Sequence, residues 1–179
     1  MFYSFCSQSH CIDGSKPTTL VQGTDGTFYG TTVEGGLDNS GTVFKITPDG
    51  ILTRLYSFCR KAMCPDGEDP VALIQATDGD FYGTTETGAA NHGGTVFKIN
   101  SNGTLTTIYT FCSRKDCIDG SNPRTGLIQG ADGNLYGTTG GGGANHWGTV
   151  FKITMRPPSK LSERVSSPRG NGQLVTHKH

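Results

Sequence analysis

A chain of 179 residues with no net charge, 27 glycines and a hydrophobic share of 33% has the composition of a turn-rich globular protein. Its composition argues against two classes of partner. No run approaches the roughly 18 to 20 apolar residues of a membrane span, and the repeated body has no stripe of Lys and Arg for nucleic acid. The charge is unevenly placed: residues 1–154 carry 10 Lys and Arg against 14 Asp and Glu, and residues 155–179 carry 5 against 1.

In chain order the first feature is a recurrence. Tyr29-Gly30-Thr31-Thr32 returns as Tyr82-Gly83-Thr84-Thr85 and Tyr136-Gly137-Thr138-Thr139, a period of 53 and then 54 residues. Phe44-Lys45-Ile46 returns as Phe97-Lys98-Ile99 and Phe151-Lys152-Ile153. Repeats of this length signal a propeller, a solenoid or an array. No window shows sustained helical periodicity, so the expected class is all-β.

Within the middle repeat, Ala72 to Gln75 is a short apolar run, and Thr77-Asp78-Gly79-Asp80 is a turn leading into Phe81 to Thr85, which together predict a hairpin. After a loop over 86–93, Gly94 to Ile99 predicts a third strand with Phe97 and Ile99 on one face and Val96 on the other. Asn102-Gly103 then turns the chain into Thr104 to Phe111, where the two-residue period puts Leu105, Tyr109 and Phe111 on one face. Four antiparallel strands make one propeller blade. We call them strands a to d.

The expected fold is therefore a β-propeller-like repeat of three four-stranded antiparallel blades over residues 1–154, with repeats at about 6–58, 59–111 and 112–154. Phe2 to Phe5 matches the end of a d strand, and the third repeat stops before its own, so the strand series reads d, abcd, abcd, abc. A leucine-rich solenoid fits less well, because its repeats are shorter and lack paired Asx-Gly turns. Residues 155–179 are polar and contain proline, which predicts a disordered tail. Three blades fall short of the four to eight of known rings, which predicts an incomplete propeller with open blade faces that favour self-association.

The six cysteines fall as Cys6/Cys11, Cys59/Cys64 and Cys112/Cys117, one Cys-x4-Cys per repeat in the loop between blades. Even numbers at fixed spacing point to disulfides and an extracellular or cell-surface location. Free thiols and half a zinc site are the alternatives. The equivalents of His10 are Met63 and Asp116, so a third zinc ligand does not recur. Met1 enters the repeat pattern with no secretory signal, which leads us to expect a fragment or truncated relative of a longer exported protein.

Asp25/Asp78/Asp132 and Asp13/Asp66/Asp119 each precede glycine, and turn chemistry explains them better than calcium, which wants several oxygens converging in one loop. Gly140 to Gly143 lacks the helix and the Gly-Lys-Ser/Thr of a phosphate cradle. No acid/base pair or nucleophile triad can be assembled from spacing, and no cofactor is called for. The loops from strand b to strand c carry Asp38-Asn39, Asn91-His92 and Asn145-His146-Trp147. On a propeller these loops share a face with the d-to-a loops, so Asn91, His92, Asn145, His146 and Trp147 form a candidate surface for a carbohydrate or a peptide. The competing reading is that Asn tolerates left-handed backbone and Trp147 packs on its neighbour.

Over residues 2–154 the chain resembles the bacterial Gloeo/Verruco, or GloVer, repeat. The motifs that carry the likeness are Leu127 to Thr139, the Gly/Asn loop after it, Gly-Thr-Val-Phe-Lys-Ile and Leu-Tyr-Ser-Phe. The resemblance implies a propeller, usually within longer exported proteins that end in one of several surface-anchoring segments, and implies no established activity. The expected function is a non-catalytic binding scaffold. The alternatives are a fragment of a propeller enzyme acting on polysaccharide, or a structural spacer.

Overall fold

The computed structural model describes residues 1–155. Apart from Met155, the tail expected at 155–179 lies outside the described residues. The first repeat forms β1 (Ser15–Gln22), β2 (Phe28–Glu34), β3 (Thr42–Ile46) and β4 (Leu52–Ser57). The second forms β5 (Glu68–Gln75), β6 (Phe81–Thr87), β7 (Thr95–Ile99) and β8 (Leu105–Thr110), and the third β9 (Ile128–Gln129), β10 (Leu135–Thr138) and β11 (Val150–Ile153). Every pairing is antiparallel between strands adjacent in sequence, in three separate sheets ordered β1 to β4, β5 to β8 and β9 to β11.

The all-β, blade-like architecture is thus present, with one correction to its strand count. Two sheets have four strands, and the third has three among the described residues. Phe2 to Phe5, expected as a d strand, is not a strand, because among the described residues no c strand lies beside it to accept its hydrogen bonds. It nevertheless occupies the place of one. Phe5 packs edge-on to Phe44 at 4.9 Å, as Phe58 does to Phe97 at 5.2 Å and Phe111 to Phe151 at 4.9 Å.

The a strands of the first two blades are longer than the apolar runs suggested, beginning at Ser15 and Glu68, and each carries an irregularity just after its proline, Pro17 or Pro70. The expectation that Leu105, Tyr109 and Phe111 share one face also needs correction. Phe97 pairs with Thr107 and Val96 with Tyr109, so Ile108 is an extra residue in the ladder. Such a bulge reverses the sense of the side chains beyond it. Leu105 accordingly joins the core on one side of the sheet, and Tyr109 and Phe111 the core on the other.

The core consists of two copies of one interface between neighbouring sheets. In the first, Val21, Tyr29, Val43 and Phe58 of one blade meet Leu73, Phe81, Phe97 and Ile99 of the next. In the second, Ile74, Tyr82, Val96 and Phe111 meet Leu127, Leu135, Phe151 and Ile153. These are the same repeat positions shifted by one blade. We call the Tyr-and-Val side of a blade its trailing face and the Leu-and-Phe side its leading face. The tight seat of the central Phe explains the glycine in Tyr-Gly-Thr-Thr: a Cβ at Gly30, Gly83 or Gly137 would stand 2.5 Å from Cζ of Phe44, Phe97 or Phe151.

Polar ties cross the same interfaces. The Thr24 amide donates to Gln75 Oε1 and the Thr77 amide to Gln129 Oε1, at 2.9 and 3.0 Å. The Asp69 amide donates to the Ser40 carbonyl and the Asn122 amide to the Gly93 carbonyl. Within blades, the threonines that end strands b and c meet through their hydroxyls in Thr32/Thr42, Thr85/Thr95 and Thr139/Thr149 at 2.8 to 2.9 Å. Among the described residues no helix is long and apolar enough to cross a membrane.

Candidate functional site

The loops that carry the candidate ligand residues are built on the cysteine loops. In the structure Cys6 is bonded to Cys11, Cys59 to Cys64 and Cys112 to Cys117, each closing a small ring before the next strand a. All six cysteines have positive φ, which pinches the chain into these rings. The carbonyl of the second cysteine then accepts from the b-to-c loop in every repeat: from the Gly36, Ala89 and Gly143 amides at 3.0, 2.9 and 3.0 Å. The b-to-c and d-to-a loops therefore do share one face.

The recurring aspartates do more than shape turns. Asp13, Asp66 and Asp119 accept from the hydroxyls of Tyr3, Tyr56 and Tyr109 at 2.8 to 3.0 Å, tying each d segment to the cysteine ring that follows. Asp25, Asp78 and Asp132 accept from Tyr29, Tyr82 and Tyr136 at 2.7 to 2.8 Å across the a-to-b turn. Sequence reasoning missed these latches, although Tyr ten residues before Asp, and Tyr four residues after Asp, recur in all three repeats.

Titration follows from these bonds. Burial alone would raise the Asp13, Asp25, Asp78 and Asp119 carboxyls, but the tyrosine hydroxyls, backbone amides and other donors outweigh it and hold all four below the ordinary value. Burial, reinforced by the bonded aspartate, pushes Tyr29 and Tyr82 up to about 12. A depressed carboxyl stabilises the fold above its unfolded pKa and loses that contribution as acid protonates it. A raised phenol contributes fully below its unfolded pKa and loses this as alkali ionises it. The urea midpoint is therefore expected to fall as pH drops below about 4, and again as pH rises from about 10 toward 12.

The five candidate side chains lie on the loop face of the second and third blades, and their surroundings differ. Asn91 has φ 51° and donates through Nδ2 to the Cys112 carbonyl at 2.9 Å, so its side chain braces the neighbouring cysteine ring. His92 is exposed, and its carbonyl accepts from Asn122 Nδ2. Asn145 and His146 are exposed. Trp147 is 90% exposed, although its loop is firmly held: Gly142 forms a bridge with Trp147, the His146 amide donates to Gly143 and the Gly148 amide to Gly142. The left-handed asparagine reading thus accounts for Asn91 and does not account for Trp147.

One further cluster combines sulfur and carboxylate, since Cys59, Cys64 and Glu68 stand together. Both sulfurs are already joined in a disulfide, which leaves no thiolate to bind a metal. The equivalents of Glu68 are Ser15 and Ser121.

Comparison with solved structures finds the same architecture elsewhere. A crystal structure of a catalytically inactive variant of virginiamycin B lyase from Staphylococcus aureus, with quinupristin, is 15% identical, with a TM-score of 0.51 over 86% of this chain and 45% of that one. An X-ray structure of a candidate gluconolactonase is 18% identical, with a TM-score of 0.45 over 77% of this chain and 44% of that one. The chain thus spans less than half the length of either, and the likeness to the lyase, at 15% identity, concerns the fold alone. Comparison with curated proteins finds no match. The profile of the Gloeobacter/Verrucomicrobia repeat matches residues 2–166, which include all three copies of the blade described above, and the chain belongs to that repeat family.

Proposed function

We propose that residues 1–154 form one repeat domain that serves as a non-catalytic binding scaffold in an extracellular or surface protein. Its ligand, a carbohydrate or a peptide, docks on the loop face of the third blade. The observation that carries this reading is Trp147: an indole 90% exposed on a loop fixed by backbone hydrogen bonds, with Asn145 and His146 beside it in sequence. An immobilised aromatic ring offers an apolar platform at little entropic cost, and the neighbouring amide and imidazole supply hydrogen bonds for hydroxyls or peptide groups. Binding rather than catalysis is supported by the recurring aspartates, each engaged by a tyrosine hydroxyl. The extracellular location is supported by the three disulfides.

A glycan and peptide array probed with the oxidised chain tests this. Trp147→Ala is expected to weaken binding of any ligand found by about tenfold or more, the scale of a lost aromatic anchor, while keeping the wild-type circular dichroism. Because Trp147 is the single tryptophan, ligand addition should also change the intrinsic fluorescence. A ligand that binds the variant equally well and leaves that fluorescence unaltered would place the site elsewhere.

A further inference from the structure

Each interface inside the chain seats four trailing residues on four leading ones. Three of the trailing residues come from strands a, b and c of a blade, and the fourth, Phe58 or Phe111, from the end of its strand d. At the open leading face of the first blade only the fourth is in place. Phe5 covers Phe44, while beside it runs an apolar groove of about 310 Å³ lined by Phe2, Phe5, Pro17, Leu20, Phe44 and Ile46. Leu20 is 59% exposed there, although its equivalents Leu73 and Leu127 are buried. At the open trailing face of the third blade the other three residues stand uncovered: Ile128 is 66% exposed, Tyr136 half-buried and Val150 80% exposed. Their equivalents Tyr29, Tyr82, Val43 and Val96 are buried.

The two ends of the described structure thus hold the complementary parts of one more copy of the same interface. We propose that two copies of this chain assemble head to tail into a closed ring of six blades. The trailing face of each third blade docks on the leading face of the other copy's first blade. Six blades fall within the four to eight of known rings, whereas three fall below and nine above. The ring would be a cyclic dimer with two identical seams. This rests on the packing of the blades and not on the ligand reading.

The internal interfaces fix the contacts of the seam. Tyr29 stacks on Phe81 at 4.1 Å, so Tyr136 stacks on Phe28 of the second copy. In both complete blades the c-strand Val pairs with a d-strand Tyr, in Val43/Tyr56 and Val96/Tyr109, and the preceding Thr with Ser57 or Thr110. Val150 therefore pairs with Tyr3, and Thr149 with Ser4, of the second copy, which turns the segment 2–5 into the fourth strand of the incomplete blade. By the same shift the Ala131 amide meets Gln22, as Thr24 and Thr77 meet Gln75 and Gln129. The Lys16 amide meets the Trp147 carbonyl, as Asp69 and Asn122 meet Ser40 and Gly93.

Light scattering and sedimentation on the full, oxidised chain at tens of micromolar test the ring. The expected mass is twice the 19.0 kDa of the chain. Val150→Asp and Leu20→Lys alter exposed side chains on opposite faces, so each should keep the wild-type circular dichroism and run as a monomer. An equimolar mixture of the two should recover dimer, because one of the two seams in the mixed ring carries neither substitution. A monomeric wild type, a polymer, a dimer that survives both substitutions, or a mixture that stays monomeric would each overturn the proposal. A variant that lost its fold would leave the wild-type mass to decide the question.

Discussion

Replacing Phe97 with alanine is expected to cost about 3–5 kcal/mol, the range for truncating a large buried aromatic side chain. Phe97 is fully buried between two blades, edge-on to Phe58 and beneath Gly83. The surrounding strands cannot collapse onto the void without breaking the ladders that β7 makes on both sides. A domain of this size has only about 5–15 kcal/mol in total, so the variant should unfold at far lower urea. The repeat supplies its own controls. Phe44 is buried mainly by the unpaired segment that carries Phe5, and Phe151 is half-buried. The expected order of destabilisation is Phe97→Ala, then Phe44→Ala, then Phe151→Ala, read from urea midpoints under one set of conditions. Equal losses at the three positions would show that the blades are not graded in burial as described.

The opposite change in the same seat should be nearly as harmful. Gly83→Ala adds a single methyl group, but that carbon would stand 2.5 Å from Cζ of Phe97 and also press on the Ala72 carbonyl. Overpacking of this kind costs typically 1–3 kcal/mol and occasionally more. The upper end is expected here, because one of the two neighbours is backbone and cannot rotate away. Combining Gly83→Ala with Phe97→Leu should give a loss smaller than the sum of the two, since the smaller side chain relieves part of the clash. Full additivity in that cycle would mean that Gly83 is required for some reason other than the ring above it. Gly79, in the Asp-Gly turn, is a useful contrast: a Cβ there meets nothing, and only its φ of 86° opposes substitution.

These two residues also show why so much of the fold was legible in the sequence. Short strands separated by Asx-Gly turns announce themselves through turn chemistry, and period-two alternation on β7 correctly placed Phe97 and Ile99 opposite Val96. The same rule misled at β8, because the bulge at Ile108 leaves no mark in the alternation of Leu105, Thr107 and Tyr109. The segment 2–5 was recognised from its repeat position, yet a strand exists only where a neighbour accepts its hydrogen bonds. That neighbour would be the c strand of a preceding blade, and the described residues contain none beside this segment. The latches between Tyr109 and Asp119 or Tyr82 and Asp78 were hidden for a different reason. Asp before Gly is already explained by the turn, so nothing in the local pattern asked for a second partner.

The candidate site was legible only in part. The shared face of the b-to-c and d-to-a loops followed from blade topology, and the backbone bonds to the Cys11, Cys64 and Cys117 carbonyls bear it out. Nothing in sequence separates Asn91, whose amide braces the neighbouring ring through the Cys112 carbonyl, from Asn145, which faces solvent. They occupy the same repeat position. What distinguishes them is the presence of a following blade: Asn91 has the next cysteine ring to bond, and Asn145 has none among the described residues.

The central claim is that one interface is used repeatedly along the chain, with the segment 2–5 standing in for a strand d. Nuclear Overhauser contacts between selectively labelled phenylalanine and tyrosine rings test it most directly. Three equivalent pairs are expected, Phe5 with Phe44, Phe58 with Phe97 and Phe111 with Phe151, together with Tyr29 against Phe81. Contacts that join the rings in any other order, or the loss of the Phe5 pair while the other two remain, would contradict the account.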